Sequence, residues 1–445
     1  MVQTCNVDYA ALRLSNMGSH YSVIIVGGGQ AGLSISYCLH QRQIDHIVFE
    51  KHRIGHAWRA KRWDSFCLVT PNWQCQLPGY PYPGDDPNGF MKKDQIVQYI
   101  ESYASMFNPP VREGISVLRM RKNPISDVFE VATSIGDFTA DQVVVATGGY
   151  HRPRIPAIAQ RLPDDIMQLH SSEYKNPRSL SDQAVLVVGT GQSGCQIAED
   201  LHLAGKQVHL CVGSAPRSPR RYRGKDVVDW LEQLGYYDLS IDQHPQKEQV
   251  RTKTNHYVTG RDGGREIDLR HFALEGMQLH GRLQNIHNTH LEFQPNLKQH
   301  LDQADAVAES IKKTIDGFIE KHQIDAPVDP PYHPMWEPEA ETLSLDYRDA
   351  NIGAVIWSVG YEMDFSWVEI PVFDGKGYPG HDRGVTAVKG LYFVGLPWLY
   401  TWGSGRFSGI ARDAQYLTDY IQMNHRFNPR SRHRYREMAL ELNAS

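Results

Sequence analysis

Residues 22–50, SVIIVGGGQAGLSISYCLHQRQIDHIVFE, constrain this chain more than any other stretch. The apolar run 23–26 reads as a strand buried on both faces, since no polar residue interrupts it. It leads into Gly27, Gly29 and Gly32. A helical pattern with Leu33, Ile35, Tyr37 and Cys38 follows, and then a second short strand over 47–49 that ends on Glu50. Each glycine in this spacing has its own job: Gly27 permits a tight turn, Gly29 lets a pyrophosphate approach the backbone, and Gly32 lets the helix pack on the strand. The helix N-terminus offers unpaired N–H groups and about half a positive charge to the phosphates. Glu50, eighteen residues past Gly32, stands where an acid accepts hydrogen bonds from a ribose. The alternative is a glycine-rich turn with no ligand. The strand before, the helix after and the acid downstream favour the nucleotide reading.

The bulk numbers exclude several classes. A net charge of −5 gives no support to a nucleic-acid or anionic-membrane partner. No apolar run approaches the roughly 18 residues of a membrane span. The 445 residues accommodate two large domains or about three of ordinary size. None of the six cysteines, Cys5, Cys38, Cys67, Cys75, Cys195 and Cys211, forms C-x-x-C. That pattern disfavours a redox dithiol or a zinc ribbon and suits a reducing cytoplasm. Residues 1–20 are polar and read as a loose tail, with Met17 an alternative start.

After Glu50 comes a long stretch rich in Trp, Pro and Gly, carrying Trp58, Trp63 and Trp73. It reads either as an aromatic wall for a flat ligand or as a loop packed on its own core. A helix is expected over 94–107 with Asp94 as N-cap, then strands near 115–118, 128–133 and 142–146. The Pro-rich segment 153–156 reads as an interdomain linker. At 184–194, AVLVVGTGQSG repeats the opening architecture: a strand over 184–188, Gly189, Gly191 and Gly194, a helix to about 203, and a strand over 207–212. Here the acid is missing. Eighteen residues past Gly194 stands Val212, followed by Arg217, Arg220, Arg221, Arg223 and Lys225. Arginines in place of the acid fit a 2′-phosphate, hence NADPH; a solvated basic loop is the alternative. Two units of this kind, one acidic and one basic, imply FAD and NADPH together. Further on, GRDGGREID reads as a hairpin, 304–322 as a helix, 354–358 and 390–395 as strands, and 410–423 as the last helix. The segment WLYTWGSGRFSG, 398–409, has glycines that let backbone approach a ring system or another loop.

From residue 20 to 423 the chain resembles the class B flavoprotein monooxygenases. The resemblance is carried by GGGQAG with Glu50, GHAW at 55–58, ATGGYHRPRIP at 146–156, LHSSEYKNP at 169–177, GTGQSG at 189–194 and SVGY at 358–361. It is nearest to bacterial members with TPNW…LPGYPY and PRRYRGKD. Of the signature F-x-G-x-x-x-H-aromatic, His170 and Tyr174 are present, while Asp164 and Ile166 stand at the Phe and Gly positions. Tyr174-Lys175 is nearer the heteroatom-oxidising and YUCCA-type members than the Baeyer–Villiger ones.

The resemblance implies an α/β fold of two Rossmann-like domains, the second inserted in the first. Residues 21–160 and 346–424 would bind FAD, residues 161–345 would bind NADPH, and 425–445 would form a basic tail. It implies cofactor contacts at Gly27, Gly29, Gln30, Ala31, Gly32, Glu50, Lys51, Trp58, Arg59, Val117, Ala146, Thr147 and Gly148. On the second unit and beyond these would be Gly189, Gly191, Gln192, Ser193, Gly194, Arg217, Arg220, Arg221, Gly360, Tyr361 and Gly395. His170 and Asn72 are given positioning roles, with no residue assigned to catalysis outright and no metal. The implied reaction is an NADPH-consuming monooxygenation of an amine nitrogen, a sulfur or a carbonyl through a flavin hydroperoxide, with O2 and a small molecule as partners. Whether the chain forms a homodimer is left open. Two other readings stand beside it: a flavin disulfide reductase, disfavoured by the lack of C-x-x-C, and a non-catalytic nucleotide-binding regulator.

Overall fold

The computed structural model describes residues 20–426. Of the tails expected at 1–20 and 425–445, residues 1–19 and 427–445 lie outside the described residues, while residue 20 belongs to a strand and residues 425–426 to the last helix. Two parallel-strand sheets organise the chain. In the first unit β1 (His20–Val26), α1 (Gln30–Gln41) and β2 (His46–Phe49) form the opening crossover. In the second, β3 (Ala184–Val188), α2 (Gln192–Leu203) and β4 (Val208–Cys211) repeat it.

The first sheet has seven strands, with Val111–Arg112 at the edge beside β2. β1 lies between β2 and Gly136–Val145, parallel to both, and Leu391–Phe393 adds to the far edge of Gly136–Val145. The strands Phe129–Thr133 and Val117–Lys122 continue it as an antiparallel meander. The second sheet is parallel throughout, in the order Met167–His170, Ile352–Trp357, β3, β4, Gln278–His280. Because side chains alternate across a strand, each sheet feeds two cores. Val23, Ile25 and Val48 pack with Leu33, Leu39, Ile100 and Leu417 on one face, while Ile24, Val26, Ile47 and Phe49 pack with Phe129 and Phe393 on the other. Val185, Val187, Val208 and Leu210 pack under Ile197 and Leu201; Leu186, Val188 and Cys211 pack with Trp357 and Phe293. Burial on both faces is why these strands read as unbroken apolar runs.

Five expectations are corrected. The strand near 354–358 does not return to the first unit. As Ile352–Trp357 it sits between β3 and Met167–His170, so the second sheet claims it and the chain crosses back at 358–361. The two crossings run side by side, Pro153 paired with Tyr361 and Arg152 with Glu362. GRDGGREID is no hairpin: Arg261–Gly263 is one helical turn, and Asp268 then caps the short helix Leu269–Leu274 by accepting from Arg270 N at 2.9 Å. The helix expected from Asp94 runs Lys93–Phe107 with Lys92 as N-cap, where Gln95 Oε1 accepts from Lys92 N at 2.9 Å. The long helix begins at Leu297 rather than 304, and the last helix runs Ile410–Arg426.

Candidate functional site

Both sheets end their parallel strands on one cavity of about 1530 Å³. Two glycine turns face each other across it, built alike. Gly27 and Gly189 hold φ of +109° and +103°, a region that favours glycine, and Gly27 N and Gly189 N donate to Phe49 and Cys211 carbonyls at 2.8 and 3.1 Å. A Cβ on Gly32 would lie 1.9 Å from the Gly27 carbonyl oxygen, and one on Gly194 at 1.9 Å from that of Gly189. These two glycines seat each helix on its strand. A Cβ on Gly29 would meet nothing within 4 Å, and one on Gly191 only the Thr254 methyl at 3.6 Å. Both of these line the cavity. They are also the N-caps of α1 and α2, neither of which has a side-chain cap or an acid in its first turn. The free N–H groups and the positive end of each helix are therefore left for an anion. A pyrophosphate fits both places, because the space a side chain would fill is open.

One strand later the turns diverge. At the first, Glu50 Oε2 accepts from Gly28 N at 2.6 Å and Oε1 from His52 N at 2.8 Å, which holds the acid at the cavity rim. At the second, Val212 N donates to His280 O and Gly213 N to Thr190 Oγ1, both at 2.9 Å, so a smooth edge of Val212, Gly213 and Ser214 lines the cavity. Arg282, exposed at the end of the neighbouring strand Gln278–His280, lines the same edge, its backbone N donating to Asn296 Oδ1 at 3.0 Å.

Of the sequence-predicted residues, Gly27, Gly29, Gln30, Ala31, Glu50, Lys51, Trp58, Val117, Ala146, Thr147 and Gly148 line the cavity from the first unit, as does Gly395. Gly189, Gly191, Gln192, Ser193, Gly360 and Tyr361 line it from the second unit and the crossing. Gly32 and Gly194 lie behind the turns, and Arg59 turns outward to Glu101 at 2.6 Å. Asn72 is buried, Nδ2 donating to the Asp86 carbonyl and Oδ1 accepting from Met91 N, so it pins its own loop.

The assignment of Arg217, Arg220 and Arg221 to a 2′-phosphate is corrected. The Arg217 side chain is 1 % exposed and is held by Glu266 at 2.5 Å, Asp305 at 2.9 Å and the Tyr332 ring at 4.4 Å. Arg220 donates to Asp226 and to the Val69 carbonyl at 2.7 Å and lies over Phe90. Both charges are spent inside the protein. Arg221 reaches the Gly263 carbonyl at 3.3 Å, on the outside. The tryptophans of the long loop divide. Trp58 lines the cavity and donates to Gln30 Oε1 at 3.2 Å, whereas Trp63 enters the second core and Trp73 donates to Asp229.

His170 ends the outer strand of the second sheet and is fully buried. Its Nε2–H donates to the Gly360 carbonyl at 3.1 Å and Nδ1 accepts from Ser172 Oγ at 2.9 Å, while its ring meets Tyr361 edge-on at 4.8 Å. Burial lowers its pKa, and this bonding uses the neutral tautomer. It fixes the crossing from directly behind the cavity wall, next to Ser171, Gly360 and Tyr361. Sequence reasoning missed Ser214, Arg282 and a chamber formed by Tyr236, Tyr237, Asn255, Trp402 and Arg406.

Residues 24–310 match the family model described as pyridine nucleotide-disulphide oxidoreductase, and the chain belongs to that family. The uncharacterized oxidoreductase CzcO-like of Geobacillus kaustophilus is 35% identical over 406 residues, 91% of this chain and 98% of that protein. The probable indole-3-pyruvate monooxygenase YUCCA4 of Arabidopsis thaliana is 31% identical over 45% of this chain and 49% of its own length. Among solved structures, the flavin-containing monooxygenase from Stenotrophomonas maltophilia aligns with a TM-score of 0.61 at 17% identity, covering 91% of this chain and 99% of that one. The resemblance to class B flavoprotein monooxygenases drawn from the motifs, and the double Rossmann-like α/β fold expected from it, are borne out.

Proposed function

We propose that the chain is an FAD-dependent monooxygenase that consumes NADPH, with FAD at the Gly27–Gly29 turn, NADPH at the Gly189–Gly191 turn, and a small substrate between them. The observation that carries this reading is the pair of matched, uncapped helix N-termini opening on one cavity. A single dinucleotide needs one such turn. When bound, the two cofactors supply hydride transfer and oxygen activation. The chain's own residues bind, orient and exclude water. α1 and α2 hold the two pyrophosphates. Glu50, already accepting from two backbone N–H groups, is placed for the first ribose. At the second edge, where no acid stands, Arg282 and Ser214 receive the adenosine 2′-phosphate. His170 sets the Gly360–Tyr361 wall through its bond to the Gly360 carbonyl.

A disulfide reductase would need an accessible thiolate. Cys38, Cys67, Cys75, Cys195 and Cys211 are all buried, and burial pushes the thiols of Cys38 and Cys67 up to about 11 and that of Cys75 to about 12. Among the described residues this disfavours thiol exchange.

The test is rapid mixing of flavin-loaded protein with NADPH and then O2, followed by a screen of amines, sulfides and ketones with peroxide leakage measured in parallel. The monooxygenase reading expects flavin bleaching by NADPH, and a substrate that raises NADPH oxidation while lowering leakage. Failure of NADPH to reduce the flavin would favour a non-catalytic regulator.

A further inference from the structure

We infer that the substrate is an anion with a flat apolar body, its carboxylate seated on Arg406; this rests on the monooxygenase reading and names the substrate class for the same cavity. Arg406 follows Gly405, whose carbonyl accepts from Gln30 Nε2 at 3.2 Å beside the first glycine turn. Its own Nη2 donates at 2.8 Å to Asn255 Oδ1, one residue from Thr254, which faces Gly191 of the second turn. The guanidinium therefore stands between the two turns. It donates to the Trp402 carbonyl and lies over the Trp402 ring at 4.2 Å. Tyr237 packs on Trp402 at 4.7 Å and Tyr236 on Tyr237 at 5.5 Å, giving an aromatic wall beside the cation.

Arg406 is half-buried, and among the described residues its guanidinium bonds go to neutral acceptors, the Trp402 carbonyl and Asn255 Oδ1, with no carboxylate in ion-pair reach. A half-buried cation whose bonded partners are all neutral can take a charge-assisted, two-pronged bond from an incoming carboxylate. The opposite charge finds no such place. The carboxylates lining the cavity are Glu50 and Asp364, the first held by two backbone N–H groups and the second accepting from Ser366 N at 3.1 Å and facing Arg152 at 3.5 Å. An ammonium substrate would enter a chamber whose nearest formal charge repels it.

The same guanidinium could instead serve a dinucleotide phosphate, so the experiment separates the two sources. Flavin content of the purified or FAD-reconstituted protein is measured first; a chain that takes no flavin sinks the monooxygenase reading whatever the probes do. Wild-type protein is then titrated calorimetrically with 3-phenylpropanoate, 3-phenylpropan-1-ol and 3-phenylpropylamine, which share one ring and chain and differ in end group. The carboxylate is expected to bind about 10- to 100-fold more tightly than the alcohol, and the amine most weakly. Arg406→Ala should remove that advantage and leave the alcohol unchanged, with Arg406→Lys between the two. The inference is overturned if the three probes bind alike, or if Arg406→Ala leaves the carboxylate untouched. It is equally overturned if that variant loses FAD or NADPH affinity while the carboxylate still binds, for then the cation serves the cofactor. Should Arg406→Ala fail to fold, the wild-type ranking still decides.

Discussion

The two glycine turns share their φ angles, their helix seating and their open anion sites, and they differ one strand later. The first ends on an acid that two backbone N–H groups hold at the cavity rim. The second ends on Val212, Gly213 and Ser214, and Arg282, which lines the cavity with them, comes from beyond the end of another strand, Gln278–His280. A cation's proximity in sequence says little about where its charge is spent. Arg217 is five residues past Val212 and faces Glu266 and Asp305; Arg282 is seventy past it and faces the cavity.

That contrast can be broken in several places. The largest effect is expected from filling the open position of each turn. Gly29→Val should abolish flavin binding, and Gly191→Val should retain flavin while abolishing NADPH binding, read by absorbance and by calorimetry. Each side chain would occupy space that a pyrophosphate needs. Parallel loss of both ligands in either variant would break the contrast. Next, Arg217→Ala should cost about 1.5–3 kcal/mol in chemical denaturation, because it empties a fully buried site and removes one of the two arginines that face Asp305, yet leave the preference for NADPH over NADH unchanged. Arg282→Ala should do the reverse. A charge-assisted bond of about 1.5–3 kcal/mol predicts NADPH binding weakened about 10- to 100-fold, with NADH binding and thermal stability unmoved. Equal loss of both coenzymes would remove Arg282 from the 2′-phosphate. The smallest effect is expected at the first turn. Glu50→Gln keeps an acceptor oxygen for Gly28 N but loses the charge, a difference of about 1 kcal/mol or roughly fivefold in FAD affinity, measured by equilibrium release of flavin.

Much of this was legible because it is local. The strand–glycine–helix units, their burial and the conformational work of Gly27, Gly32, Gly189 and Gly194 follow from a few consecutive residues each, and the structure places them as read. What could not be read depends on partners far along the chain. The acids that consume Arg217 come from residues 266–305, and Arg282 reaches the second turn only because a parallel strand, Gln278–His280, pairs with β4. The strand Ile352–Trp357 looked like the start of the return to the first unit, but its register binds it to β3. Arg406 lay inside a segment whose glycines drew notice, while its charge gained meaning only once Asn255 and the aromatic wall were placed around it.

Simultaneous binding of two dinucleotides to one chain is tested most directly by the stoichiometry of the flavin-loaded protein titrated anaerobically with NADP+ while bound flavin is followed by fluorescence. It predicts one NADP+ bound per chain with the flavin retained. Release of flavin in proportion to NADP+ added, or no binding to the loaded chain, would contradict it.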